Sequence, residues 1–222
     1  MIKLPHNAKE AIKLQNELRS FVRIRDYPNI AQIRFIGGAD VAYFSRKMTS
    51  AYAVAIIWDR FSGEVIERAY AERNVTFPYI PGLLSFRELP VIIDAYDKLS
   101  LKADIWMIDG AGVAHPRGLG IASHFGVVLD LPSIGVAKSR LVGNHLHVPR
   151  NKGSWVPLWQ DKKVIGHVVR TRSKVRPLYV SPGHKISVRQ ATELVLVCCT
   201  RYRLPEPTRL AHHLVTRRAH SL

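Results

Sequence analysis

The 222-residue chain has almost no cysteine, no long apolar run and no repeated segment. Its only cysteines, Cys198 and Cys199, are adjacent, and neighbours in sequence rarely form a disulfide. The longest apolar run, residues 51–58, is too short to cross a bilayer, and the N-terminus lacks the apolar segment of a signal peptide. We therefore expect a cytoplasmic, monomeric protein with reduced thiols and no membrane partner. Without a linker or a repeat, residues 1–222 are expected to form a single domain.

Acidic residues are scarce in the second half of the chain. Residues 1–110 hold 15 basic and 13 acidic side chains, whereas residues 111–222 hold 18 and 4, so most of the net charge of +16 comes from the second half. A basic surface of this kind fits a polyanionic partner. We expect nucleic acid rather than an anionic membrane, because the basic residues are spread over predicted strands and loops instead of lining one helix face.

The hydrophobic pattern predicts an α/β fold with a mixed central sheet, in which a three-stranded antiparallel meander is followed by parallel strands. The predicted strands cover residues 33–44, 52–58, 65–76, 105–108, 134–137, 155–159, 164–169 and 178–180. The predicted helices cover residues 8–25, 84–99, 120–128 and 188–201, and Pro205 opens a last helix. Asn7 and Ser187 are the expected N-caps. Pro90 is expected early in its helix or at a kink.

Three acidic residues, Asp40, Glu88 and Asp109, are candidates for a metal site. Asp40 lies in the apolar segment 36–44, where an isolated charge is costly to bury, and Asp109 follows the apolar segment 105–108, expected as a strand buried on both faces. Glu88 lies on the helix between them. Taken singly, each acid could serve at the surface or at a helix cap. Together they can converge at one end of the sheet, and three hard oxygen donors on a basic protein favour Mg²⁺ or Mn²⁺ and phosphodiester hydrolysis.

Five blocks of the sequence resemble the endonuclease V family. They read FPYIPGLLSFRE at 77–88, DGAGVAHPR at 109–117, GIASH at 120–124, GVAK at 135–138 and RLPEPTR at 203–209. The resemblance extends from about Gly38 to His212. One departure is Ala111, which stands where many relatives carry histidine, and it concerns the base pocket rather than metal binding.

The resemblance implies a ribonuclease H-like fold with helices on both faces of the sheet. It also implies a Mg²⁺-dependent DNA repair endonuclease, with Mn²⁺ as a possible substitute. The substrate would be DNA containing deoxyinosine, the deamination product of deoxyadenosine, cut at the second phosphodiester bond on the 3′ side of the lesion.

The catalytic residues carried over from the family include the three acids. Asp40, Glu88 and Asp109 become the metal ligands. Lys138 is expected beside the scissile phosphate, although as an isolated lysine it could also be a solvated surface residue. The fourth site position falls on His212, with the adjacent His213 as the alternative.

The segment 78–81 combines two prolines with an aromatic and an aliphatic residue, a rigid tip suited to insertion between base pairs. The resemblance makes Pro78, Tyr79 and Ile80 a wedge of this kind, whereas the alternative is that Tyr79 and Ile80 pack over the start of the following helix. The expected pocket for the flipped hypoxanthine is formed by Gly82, Leu84, Gly110, Gly112 and Ile121, whose backbone groups would read the base. His115, which precedes a proline, is assigned either a structural role or a contact to the substrate.

Two other functions fit the same observations. Inosine-containing RNA could be the main substrate, because contacts to a 2′-hydroxyl leave no obvious mark in a sequence. The chain could also be a non-catalytic nucleic-acid-binding protein of ribonuclease H-like fold that uses its basic second half. The acids argue against a pure binder, because carboxylates repel phosphate.

Overall fold

The computed structural model describes residues 4–43 and 50–219, and within them one sheet of eight strands carries the fold. The strands are β1 (Phe35–Tyr43), β2 (Ser50–Asp59), β3 (Val65–Asn74), β4 (Ile105–Asp109), β5 (Ser133–Ala137), β6 (Trp155–Gln160), β7 (Lys163–Val169) and β8 (Leu178–His184). The helices are α1 (Ala8–Arg19), α2 (Leu84–Tyr96), α3 (Ile121–Leu129), α4 (Val188–Cys198) and α5 (Glu206–Ala219). Phe44, the expected last residue of the first strand, lies outside the described residues.

The sheet is mixed, with the strand order β3-β2-β1-β4-β5-β8-β7-β6. Strands β1 to β3 form the predicted antiparallel meander, and β4 and β5 run parallel to β1. The tight turn after β2 closes with the N–H of Gly63, at φ +76°, donating to the Asp59 carbonyl at 2.8 Å. Beyond β5 the sheet continues with three antiparallel strands. Parallel strands β1, β4 and β5 therefore lie in the middle of the sheet.

Helices cover both faces of the sheet, as the family resemblance implies. Helices α2 and α3 bury their apolar residues against one face, together with alternate residues of β1, β2 and β4 such as Ala39, Ile57 and Trp106. Helices α4 and α5 cover the other face, where Met107 and Val54 are fully buried. In the described part of the chain no helix is long and apolar enough to span a membrane.

Helix α1 ends at Arg19, earlier than the predicted end near residue 25. The residues after it use their backbone elsewhere, because Arg23 donates its N–H to His184 Nδ1 at 3.2 Å and accepts from the Lys185 N–H at 2.7 Å. Tyr27 then donates its N–H to the Gln190 side chain at 2.6 Å. An extended segment docked in this way cannot keep helical hydrogen bonds.

The two predicted N-caps are present. The Asn7 side chain accepts from the Glu10 N–H, and the Ser187 hydroxyl accepts from the Gln190 N–H. Pro90 is the seventh residue of α2 and so lies in the helix interior rather than in its first turn. The helix continues on both sides and forgoes one internal hydrogen bond there.

Candidate active site

Two carboxylates lie side by side at the carboxyl end of the central parallel strands. In the β1–β4 ladder Ala39 pairs with Ile108, so the next residues, Asp40 and Asp109, are neighbours across strands that are about 4.8 Å apart. Residues alternate between the two faces of a strand. Asp40 therefore lies on the face of the sheet that α5 covers, the same face as the buried Ile36 four residues earlier on β1.

The Asp40 carboxylate is largely buried, with 15% of its side chain exposed. One oxygen accepts from the Val41 N–H at 2.9 Å, and the other lies 2.7 Å from His212 Nδ1. Burial and the nearby charge of Asp109 raise the Asp40 pKa, and the hydrogen bond with His212 opposes that rise. The site therefore destabilises the negative charge that it holds, which favours a cation close by.

Glu88, the fifth residue of α2, completes the group of acids. Burial, followed by the negative charge of Asp40, raises its pKa to about 7. The Tyr43 hydroxyl donates to Glu88 Oε1 at 3.2 Å, and Arg87 Nε donates to the Tyr43 hydroxyl at 3.1 Å. Tyr43 had no distinguishing mark in the sequence, since an aromatic residue at the end of a β-strand is ordinary.

Asp109 is paired with Lys138, which follows β5. The backbone of Lys138 is itself fixed, because Arg203 Nη2 donates to its carbonyl at 2.8 Å. The same guanidinium donates to the carbonyls of Arg176 and Pro177 at 2.8 and 2.9 Å, and so ties the ends of β5 and β8 together. The structure thus places Lys138 against one of the acids that the sequence analysis singled out.

The chemistry of these side chains fits a divalent cation, although they do not form a closed coordination sphere. Within residues 4–43 and 50–219, no three His, Cys, Asp or Glu side chains are grouped closely enough to hold a metal as they stand. Lys138 and His212 occupy oxygen atoms of Asp109 and Asp40 instead. Three mutually repelling oxygen donors with two raised pKa values suit Mg²⁺ or Mn²⁺ in charge and in donor type.

The two adjacent histidines of α5 differ in position. His212 contacts Asp40, whereas His213 is exposed and makes no polar contact with the rest of the described chain. The register of the helix therefore directs His212, and not its neighbour, toward the carboxylates.

A cavity of about 170 Å³ has Gly110, the residue that follows Asp109, in its wall. It lies below the size of a pocket for a drug-sized ligand, which suits a smaller group such as a single base. Seven of the nine expected substrate-contacting residues line it, together with Ala111: Tyr79, Ile80, Gly82, Leu84, Gly110, His115 and Ile121.

Pro78 and Gly112 do not line this cavity. Pro78 is exposed, and Gly112 is buried behind the cavity wall, where its N–H donates to Ser181 Oγ at 2.9 Å. A side chain on Gly112 would meet the Pro182 carbonyl oxygen at 2.1 Å. Gly112 therefore supports the wall through close backbone packing, and its N–H is already engaged within the protein.

Two helices begin at the cavity without a side-chain cap. The N-terminal residues of α2 (Leu84, Ser85) and of α3 (Gly120, Ile121) line it, and neither helix has a capping side chain or an acidic residue in its first turn. In the described part of the chain the N–H groups of Leu84, Ser85 and Ile121 have no hydrogen-bond acceptor. Residues of the cavity wall thus carry unpaired backbone donors at the positive ends of two helix dipoles.

His115 is a buried, neutral histidine in the cavity wall. Its Nδ1 accepts from the Arg117 N–H at 3.2 Å, which places the ring proton on Nε2. Burial, and to a lesser degree the charge of Arg117, lowers its pKa to about 4. At neutral pH His115 is therefore uncharged.

The loop that carries the expected wedge is anchored from beneath. Arg117 Nη2 and the buried Gln15 of α1 both donate to the Gly82 carbonyl, at 2.7 and 3.1 Å, and Gly82 has a φ of +79° that favours glycine. Ile80 packs against the cluster beneath α1 and α2, whereas the Tyr79 side chain does not, because 68% of Tyr79 is exposed. Gln15 and Arg117 were missed by the sequence analysis, since their roles depend on contacts across 67 and 35 residues.

A family model for endonuclease V matches residues 16–213 of the chain. The chain belongs to the endonuclease V family. It is 44% identical to the endonuclease V of Rippkaea orientalis over 219 residues, which cover 98% of this chain and 94% of that protein. Family membership confirms the resemblance and makes this chain a member of a family of nucleases.

Solved endonuclease V structures have the same fold. The crystal structure of the Streptomyces avermitilis endonuclease V superposes with a TM-score of 0.92 at 37% identity, covering 98% of this chain and 95% of that one. The Ciona intestinalis enzyme, solved as a D234N variant with a 23-mer DNA containing an inosine followed by a ribo-adenosine, superposes with a TM-score of 0.84 at 25% identity, covering 96% and 97%. The ribonuclease H-like fold expected from the sequence is thereby confirmed.

Proposed function

We propose that this protein is a Mg²⁺-dependent DNA repair endonuclease that recognises deoxyinosine and hydrolyses the second phosphodiester bond on its 3′ side. The observation that carries the proposal is a base-sized cavity whose wall includes the first residues of α2 and α3, with N–H groups that have no acceptor in the described part of the chain, and Gly110, the residue after Asp109. The inosine-containing DNA bound to the Ciona intestinalis relative supports the choice of lesion. The position of the cut rests on the family resemblance.

The donors in the cavity account for selection of a deaminated base. Deamination replaces an exocyclic amino group, which donates hydrogen bonds, by a carbonyl, which accepts them. The N–H groups of Leu84, Ser85 and Ile121 pair with a carbonyl, whereas an amino group would leave them unsatisfied. A site built to hydrogen-bond one group strongly rejects an analogue that cannot pair, because its buried donors then lose their partners.

The proposed catalytic residues have different roles at the scissile phosphate. When bound by Asp40, Glu88 and Asp109, Mg²⁺ or Mn²⁺ supplies activation of water and neutralises charge on the leaving oxygen. The Lys138 ammonium, released from Asp109, stabilises charge on the phosphate, and His212 orients the Asp40 carboxylate. Tyr79 enters the gap that the flipped base leaves. Flipping a base out of the stack costs least when the base is mispaired, so insertion of Tyr79 favours the lesion.

The experiment compares end-labelled strands that differ only at one position. Duplexes with deoxyinosine, uracil, an abasic site or adenine at that position are incubated with the protein and Mg²⁺, and the product is sized beside a ladder. We expect a nick next to inosine and none next to adenine, with a product that ends at the second bond 3′ to inosine, and no nick in EDTA. Uracil, which also carries a carbonyl produced by deamination, tests how far that carbonyl alone selects the base. A non-catalytic binder would retard the inosine duplex in a gel without cutting it, and a cut at the first bond would contradict the assigned position.

Inosine-containing RNA is a second candidate substrate. The observation that favours it is the ribo-adenosine that follows the inosine in the strand bound to the Ciona intestinalis relative. Strands of all-deoxy, all-ribo and single-ribo composition around the same inosine separate the two substrates. Faster cleavage of the all-ribo strand would make the protein an inosine-specific endoribonuclease.

A further inference from the structure

A half-exposed tryptophan stands at the outer edge of the sheet on a rigid support. The Trp155 indole is stacked on the His167 ring with 4.0 Å between centroids and 16° between planes, yet 47% of Trp155 stays exposed. His167 is itself fixed, because Thr192 donates its hydroxyl to the Val188 carbonyl and accepts from His167 Nδ1 at 2.9 Å. One face of the indole is therefore covered and held, and the other face remains available for stacking.

The surface around Trp155 is basic. Two loops, residues 150–154 and 170–175, are joined by hydrogen bonds from the Lys174 N–H to the Arg150 carbonyl and from the Lys152 N–H to Ser173 Oγ, both 2.9 Å. Neither loop contains an acidic residue. In the described part of the chain the exposed side chains of Arg150, Arg172 and Lys174 form no ion pair.

The register of the sheet places this basic surface at the same end of the strands as the carboxylates Asp40 and Asp109. Asp109 pairs with Val136, Val136 with Val180, and Val180 with His167, so the ladder leads across the sheet to β6. Trp155 lies opposite Val169 at the same end, and both its support His167 and Asp40 lie on the face that α4 and α5 cover. Four strand spacings of about 4.8 Å separate β4 from β6, a distance of about 19 Å.

We propose that Trp155 is a stacking platform for an unpaired base of a nucleic-acid strand that crosses the basic loops 150–154 and 170–175. Positive side chains that follow a phosphate backbone, with an aromatic ring on which bases stack, are the recurring features of single-strand binding. A duplex keeps its base faces covered, so the exposed indole face selects unpaired strand. The proposal extends the proposed function by adding a second contact to the same substrate class, and it requires neither inosine nor a metal.

The experiment uses the four tryptophans of the chain as reporters. Trp58 and Trp106 are buried, whereas Trp155 and Trp159 are 47% and 43% exposed at opposite ends of β6. In the variant Trp159→Phe, Trp155 is the only exposed indole of the three that remain, and titration with an unmodified thymidine 20-mer in EDTA should quench its fluorescence. In Trp155→Phe, which keeps Trp159, the same titration should quench little.

Affinity provides the second measurement, with Trp159 as the matched control. Trp155→Ala should weaken binding of the thymidine 20-mer about 5- to 150-fold, the factor that corresponds to one aromatic stacking contact with a base. Trp159→Ala, on the same strand and equally exposed, should change binding less than about twofold. Melting temperatures of both variants show whether the fold is retained, and Trp155→Phe, which keeps a ring, should bind between wild type and Trp155→Ala.

Several outcomes overturn the platform. Wild-type affinity in Trp155→Ala, or quenching that persists in Trp155→Phe and disappears in Trp159→Phe, would remove Trp155 from the contact. Failure of the wild-type protein to bind the oligonucleotide would also overturn it. Nicking of the inosine duplex with Mg²⁺ is measured separately in each variant, so loss of the platform and loss of the proposed function are distinguished.

Discussion

His212 Nδ1 lies 2.7 Å from Asp40 Oδ2, a contact that joins the last helix to the first strand across 172 residues. Asp40 is mostly buried, and 52% of the His212 side chain is exposed. The imidazole therefore lies between the solvent and the carboxylate, in a position to orient Asp40. His213 follows it on the same helix and makes no polar contact with the described residues, so His213 serves as a control for His212.

Replacing His212 should reduce nicking of inosine-containing duplex, whereas replacing His213 should not. We expect His212→Ala to lower the nicking rate by about 10- to 100-fold, because a misoriented group near the reacting atoms costs rates of that order. Both substitutions remove an exposed imidazole from α5 and change the net charge alike, but only His212→Ala also removes the hydrogen bond with Asp40, so melting temperatures are measured beside the rates. Single-turnover rates with Mg²⁺ test the difference, and equal rates for the two variants would remove His212 from the site.

Asp40→Ala and Asp109→Ala should abolish nicking while duplex binding persists. Loss of an acid from a basic groove does not weaken attraction to phosphate, so the dissociation constant for inosine duplex should stay the same or fall. Asp94→Ala is the matched control, since Asp94 lies on the outer surface of α2 in an exposed ion pair with Arg73. Near wild-type nicking by either site variant would disprove the assignment of these carboxylates as metal ligands.

Much of this architecture could be predicted because it follows from local patterns. The apolar run before Asp109 and the caps Asn7 and Ser187 act within a few residues, and the structure contains them where they were expected. The β-rich composition of residues 33–44 also placed Asp40 in a strand. Only the register of β1 against β4 shows that Asp40 and Asp109 are neighbours, since register depends on the packing of the whole sheet.

The rest of the site depends on contacts between distant segments. Gln15 reaches the Gly82 and Leu119 carbonyls across 67 and 104 residues, and a glutamine on a helix gives no sign of such a role. The early end of α1 has the same origin, because His184 and Gln190 capture the following backbone. Gly112 belongs to the same family motif as the residues that line the cavity, but it packs behind the cavity wall. The motif alone does not distinguish these two roles.

Tyr79 tests whether the loop inserts into DNA or only packs. The residue is 68% exposed and contributes little to the core, so Tyr79→Ala should leave the melting temperature nearly unchanged. Binding to inosine duplex should weaken by about 1 to 3 kcal/mol, the range for an aromatic ring stacked on a base, and binding to undamaged duplex should change much less. Phe61→Ala is the control, because Phe61 is 66% exposed in the turn after β2. An equal loss on both duplexes would contradict the wedge.

His124 should make the protein less stable in mild acid. The ring is fully buried, its Nδ1 lies 3.0 Å from Ser85 Oγ, and its Nε2 has no partner in the described part of the chain. Burial lowers its pKa from 6.5 to about 4. Between these values the unfolded chain binds a proton that the folded protein does not, so the contribution of His124 to the free energy of unfolding is complete above pH 6.5 and declines as the pH falls.

The size of this effect can be isolated by comparing variants across pH. At pH 5 the pKa difference corresponds to a loss of about 2 kcal/mol relative to pH 7. His124→Gln has no imidazole to protonate at this position. The unfolding free energy of the variant should therefore approach that of the wild type by about 2 kcal/mol between pH 7 and pH 5. Denaturant melts at several pH values measure the gap, and because both proteins share every other titrating group, those contributions cancel. A gap between His124→Gln and wild type that stays constant with pH would mean that His124 is protonated in the folded protein.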